Sequence, residues 1–148
     1  MIAGVLYGEK DLRLEDRPLP QAGPGQVVIR VVRAGICGSD IHYFQHGYCG
    51  AFVPTGPFIL GHEFVGTIVE TGPGVTTPAV GERVTVNPAR PCGRCESCLA
   101  GRGNICPHTI MLGSGSTDPP TDGAFAGRIA VAADQCYVVP DEIDDGEA

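Results

Sequence analysis

The chain has 148 residues, 43% hydrophobic and 18% charged, with 22 glycines, 13 prolines and no tryptophan. That is enough for one domain with its own core, in a turn-rich composition that excludes a disordered segment and disfavours a helical bundle. A net charge of −7 argues against a nucleic-acid surface or an anionic membrane as partner.

Residues 3–20 read as a hairpin turning at Gly8–Asp11. They carry charge from Glu9 onward and lack the apolar stretch of a signal peptide, and no run in the chain approaches bilayer length. The expected compartment is therefore the cytoplasm, where thiols stay reduced. The run QVVIRVVRAGI, Gln26–Ile36, is rich in β-branched residues and gives the strongest strand signal. Ser39–Gly47 is the one helical stretch, with Ser39 as its expected N-cap. Phe64–Gly72 and Glu82–Asn87 read as strands on either side of a turn-rich segment, and Gly127–Pro140 supplies one or two more. Short strands between Gly/Pro turns predict a mainly β fold, a barrel or sandwich, in a single domain spanning 1–148. Gly72-Pro-Gly74 and Gly113-Ser-Gly115 are turns, since neither belongs to the strand–G-x-G-x-x-G–helix unit that binds dinucleotides. The acidic end, Asp141–Glu147, reads as a solvated tail or the approach to a further domain, in a chain expected to be a piece of something longer.

Seven cysteines in a reducing compartment point to metal before disulfides. Cys92, Cys95, Cys98 and Cys106 follow C-x2-C-x2-C-x7-C. Two-residue spacers let neighbouring thiolates converge on one ion, and the longer loop lets the fourth close a tetrahedron. Arg90, Arg94 and Arg102 stand nearby to offset the charge of a zinc tetrathiolate. Four sulfur ligands leave no position for water or substrate, so this centre is a structural staple.

The remaining chemistry lies in GICGSDIHYF, Gly35–Phe44, and ILGHEFVG, Ile59–Gly66. From residue types alone, Cys37 is either a small buried hydrophobe or a metal ligand, and His62 with Glu63 is either a polar pair at a strand end or part of an open zinc site. Ser39 is a helix cap or a proton acceptor, and His42, one helical turn on, a solvated side chain or a relay. Cys49 and Cys136 read as ordinary buried thiols, His46 and His108 as solvated histidines.

Cys-Gly-Ser-Asp at 37–40, Gly-His-Glu at 61–63, the four-cysteine loop and the late DGAF at 122–125 occur in an order that resembles the zinc-containing medium-chain alcohol and polyol dehydrogenases. The resemblance covers essentially the whole chain. It implies the N-terminal catalytic domain of that family, a GroES-like β-barrel with short helices and a zinc-binding loop, whose Rossmann domain lies outside this chain. It further implies a catalytic zinc held by Cys37 and His62, with Glu63 as a direct or neighbouring ligand, and a second zinc in the four-cysteine loop. Ser39 matches the hydroxyl that takes the alcohol proton, His42 the histidine that passes it on, and Tyr43 a substrate-pocket tyrosine whose other reading is core packing. NAD or NADP is the implied hydride acceptor, bound mostly outside these residues. A polyol or sugar acid is the implied substrate, and a homodimer or homotetramer the implied assembly. The rival reading is a zinc-stapled GroES-like binding module without catalysis.

Overall fold

The computed structural model describes residues 1–148. Strand β1 (Ile2–Gly8) and strand β2 (Asp11–Asp16) form the predicted hairpin, and β1 pairs on its other side with the two-residue β4 (Phe58–Ile59). The larger sheet runs β10-β6-β5-β3-β9 from β3 (Gln26–Gly35), β5 (Glu63–Thr71), β6 (Arg83–Val86), β9 (Arg128–Ala132) and β10 (Cys136–Val138). A third, two-stranded sheet of β7 (Ala89–Arg90) and β8 (Ile110–Met111) forms the stem of the cysteine loop. The mainly β expectation holds, and no helix is long and apolar enough to cross a membrane.

Alternating apolar residues on β3 and β5 point inward and build the main core. Val27, Ile29, Ile68 and Val84 are fully buried within it, each contributing about 1.5–3 kcal/mol of transfer free energy. A second cluster of Leu6, Tyr43, Phe58 and Leu60 lies under helix α1 (Gly38–His46). The segment around Phe125 stitches the two main sheets together. Gly4 N–H donates to Phe125 O at 2.7 Å, Gly127 N–H to Ile2 O at 3.1 Å, and Val31 N–H to Gly127 O at 3.2 Å.

Helix α1 starts earlier than its sequence suggests. Its N-cap is Cys37 and not Ser39, with extended backbone at φ −80° and ψ 158°. Asp40 reaches back so that its Oδ2 accepts the Cys37 N–H at 2.9 Å, and this carboxylate sets the boundary that a Ser39 cap was expected to set. The acidic end is also less free than expected. Arg83 donates to Asp145 Oδ1 at 3.0 Å and to Pro140 O at 2.7 Å, and reaches Ile143 O as well, pinning residues 140–145 to the edge of β6.

Candidate active site and metal centre

The register of β3 against β5 assembles the site. Gly35 at the end of β3 lies opposite Glu63 at the start of β5, so Cys37, two residues on, faces His62 and Glu63. The Cys37 sulfur, an imidazole nitrogen of His62 and a Glu63 carboxylate oxygen lie within 4.8 Å of one another. His62 is 6% exposed, Cys37 is half-buried and Glu63 is exposed. A cavity of about 690 Å3 opens beside them, lined by Arg33, His62, Glu63, Thr85, Met111 and Asp145. A larger one of about 810 Å3, lined by Glu82, Arg90, Asp134 and Cys136 among others, holds none of these groups.

The turn that presents His62 has no room for side chains. Gly61 has φ +90°, and a Cβ there would fall inside the ring of Phe125. Gly123 packs against the same backbone, where a Cβ would meet Leu60 O at 2.6 Å. The DGAF segment runs alongside: Asp122 Oδ1 accepts the Ile59 N–H at 2.8 Å, and the Gly123 and Ala124 N–H groups donate to Ile59 O and Gly61 O at 2.7 and 2.8 Å.

Asp40 is the functional residue that the sequence reading missed. It is 3% exposed, and besides capping Cys37 it accepts the Gly61 N–H through Oδ1 at 3.1 Å. The same oxygen lies 3.9 Å from His62 Nδ1, a buried atom with no hydrogen-bond partner. One carboxylate thus ties the turn carrying His62 to the residue carrying the thiol. Its sequence signal is an acidic residue three positions after a candidate ligand at a helix start.

Ser39 is half-buried in the first turn of α1 and His42 is exposed, and no hydrogen bond joins them. Tyr43 is 2% exposed. Its hydroxyl accepts the Gly115 N–H at 3.0 Å and sits 3.3 Å from Ser114 Oγ, while its ring meets Phe58 edge-on at 5.3 Å. Tyr43 is thus packed within the core of this domain.

The four-cysteine loop is gathered as its spacing predicts. Cys95 Sγ lies 3.5 Å from Cys98 Sγ and 3.7 Å from Cys106 Sγ. The N–H groups of Cys92 and His108 point at Cys106 Sγ at 3.4 and 3.3 Å and hold its thiol down to about 6. The backbone around Arg94 lowers Cys92 as well. Lost hydration, with Cys95 and Cys106 alongside, pushes Cys98 up to about 12. Four such thiols ionise together only around a cation, and their softness suits zinc. The site at Cys37, His62 and Glu63 fits zinc equally: a thiolate, an imidazole and a carboxylate converge with an open cavity beside them.

Residues 23–141 match the profile described as the alcohol dehydrogenase GroES-like domain. Sorbitol dehydrogenase of Bacillus subtilis is 41% identical over 148 residues, all of this chain and 41% of its own length. L-idonate 5-dehydrogenase from Escherichia coli superposes with a TM-score of 0.89 at 31% identity, over 98% of this chain and 41% of that one. A short chain alcohol dehydrogenase from Escherichia coli CFT073, solved in complex with NADH, superposes with a TM-score of 0.85 at 34% identity, over 98% and 40%. The chain spans about two fifths of the length of these relatives.

Proposed function

This chain belongs to the alcohol dehydrogenase GroES-like domain family, and on that footing we propose that it is the catalytic domain of a zinc-dependent, NAD(P)-linked dehydrogenase. Its reaction is the oxidation of a secondary alcohol of a polyol or sugar acid to a ketone. The observation that carries the reading is the convergence of Cys37, His62 and Glu63 within 4.8 Å beside an open cavity.

Cys37 and His62 are the proposed protein ligands of the catalytic zinc, with Glu63 beside them, and Cys92, Cys95, Cys98 and Cys106 those of the structural zinc. When bound, the catalytic zinc supplies Lewis acidity that lowers the pKa of an alcohol hydroxyl. Asp40 orients His62 from behind and fixes the distance to Cys37. Ser39 accepts the substrate proton, and His42, a turn further along α1, passes it to solvent. NAD(P) supplies the hydride acceptor. Its binding belongs to a Rossmann domain that we place in the remainder of the enzyme, a reading supported by the relative solved with NADH.

L-idonate is the first substrate to test, on the likeness to L-idonate 5-dehydrogenase at a TM-score of 0.89. Sorbitol is the second, on the 41% identity to sorbitol dehydrogenase. A homodimer or homotetramer in a reducing, cytoplasmic compartment completes the proposal, in keeping with seven free cysteines. The test is a substrate panel on the full-length enzyme together with its Cys37→Ser variant. Polyol-dependent reduction of NAD(P), abolished by Cys37→Ser with one zinc retained, is the expected result. Wild-type turnover from that variant overturns the assignment.

A further inference from the structure

Helix α1 carries two histidines that metal ligation in the sites above does not use together. His42 and His46 are four residues apart, so they rise from the same helix face. Both are exposed, and their rings approach to 5.3 Å between centroids with a tilt of 51°. Two imidazoles that share one ion at about 2.1 Å per nitrogen, with a coordination angle near a right angle, hold their ring centroids about 5 Å apart. The ring separation matches that of a chelating pair.

The surroundings favour a cation. His46 is the last residue of α1, and Gly47 ends the helix in a left-handed conformation, so the free carbonyls and the negative pole of the helix lie beside it. Tyr48 covers the far side of His46 at 6.0 Å between ring centroids. The chain as a whole carries −7. Imidazole-only donors select Ni2+, Cu2+ and Zn2+ over Mg2+ and Ca2+.

We infer that His42 and His46 form a third metal site, a two-histidine chelate for a borderline divalent transition-metal ion on the exposed face of α1, separate from both cysteine-containing centres. The remaining coordination positions belong to water. Binding here engages the imidazole that the proposed function assigns to proton passage, so excess metal slows turnover. That consequence rests on the proposed function, whereas the binding itself does not.

The test titrates the zinc-loaded chain with Ni2+ by calorimetry, beside His46→Ala, and follows the imidazole ring protons by NMR. One Ni2+ per chain is expected, with affinity at least tenfold weaker in His46→Ala, and with selective paramagnetic broadening of the His42 and His46 ring signals. His46 is exposed at a helix end, and an unchanged far-UV circular dichroism spectrum confirms that the variant is folded. Equal Ni2+ affinity in the two proteins, or broadening at His108 in place of the pair, overturns the site. Binding at the pair with undiminished turnover of the full-length enzyme leaves the site standing and overturns the relay role of His42 instead.

Discussion

The Asp40 carboxylate stands between the two candidate zinc ligands: one oxygen accepts the Cys37 N–H at 2.9 Å and the other lies 3.9 Å from His62 Nδ1. A side chain outside the proposed ligand set therefore sets the distance between two of its members. Replacing it by asparagine keeps one acceptor and turns the other into a donor facing an N–H. Asp40→Asn is expected to lower stability by about 1–3 kcal/mol and to weaken zinc at the Cys37–His62 site by about 10–100-fold. Competition against a graded chelator reads the second effect, and zinc in the four-cysteine loop serves as the internal control. Unaltered affinity would show that the carboxylate is only a helix cap.

Metal content separates the two centres. Protein purified without chelators is expected to carry two zinc ions per chain by elemental analysis. Cys37→Ser should retain only the ion of the four-cysteine loop, and Cys95→Ser should lose that ion together with the order of the loop. A Cys95→Ser chain that keeps two ions rules out the tetrathiolate centre.

The glycines at the ligand turn are fixed by contact and not by flexibility. Gly61→Ala places a methyl group in the Phe125 ring at a φ of +90°. A loss of at least about 2 kcal/mol is expected, read as a drop of several degrees in Tm. Gly8→Ala, whose Cβ meets nothing within 4 Å, is the matched control and should melt close to wild type. Equal melting of the two variants contradicts the packing at the turn.

Cys136 gives a prediction in pH. Burial, then the nearby Asp134 charge, pushes its thiol up to about 11, and its S–H points at Ala132 O at 3.8 Å. The folded chain holds this proton more tightly than an unfolded chain with an ordinary thiol. The stabilisation is therefore intact below about pH 8.5 and is lost as pH rises towards 11. Iodoacetamide should label Cys136 slowly at pH 8 in zinc-loaded protein and quickly once the chain is unfolded. Fast labelling of the folded chain refutes the raised thiol.

The longest strands were legible because β-branched runs and Gly/Pro boundaries are local signals: Gln26–Ile36 reads as a strand and β3 occupies Gln26–Gly35. The cysteine loop was legible for the same reason, since its spacing is itself the ligand geometry. Strand β4 was not, because two residues carry no periodicity, and Phe58–Ile59 is a strand only by its pairing with Leu6 and Val5. Asp40 was hidden more deeply. Its partner Gly61 is 21 residues away, and nothing in SDIHYFQH says that the aspartate folds inward while His42 and His46 turn out. Tyr43 stayed ambiguous because a tyrosine in a core and a tyrosine in a pocket have the same sequence context, and its bond from Gly115 spans 72 positions.

The β3–β5 register that sets Gly35 opposite Glu63 also makes the two candidate metal sites differ in the length of chain each must close. The cysteine loop is closed by sulfurs at most 14 positions apart, on a stem of two residues per strand, so it can capture its ion while the rest of the chain is still searching. Cys37 and His62, 25 positions apart, meet only through the long-range β3–β5 pairing, whose register shifts twice. The loop is therefore expected to take an ion from a nearly unfolded chain, and the Cys37–His62 site only from a chain whose main sheet has formed.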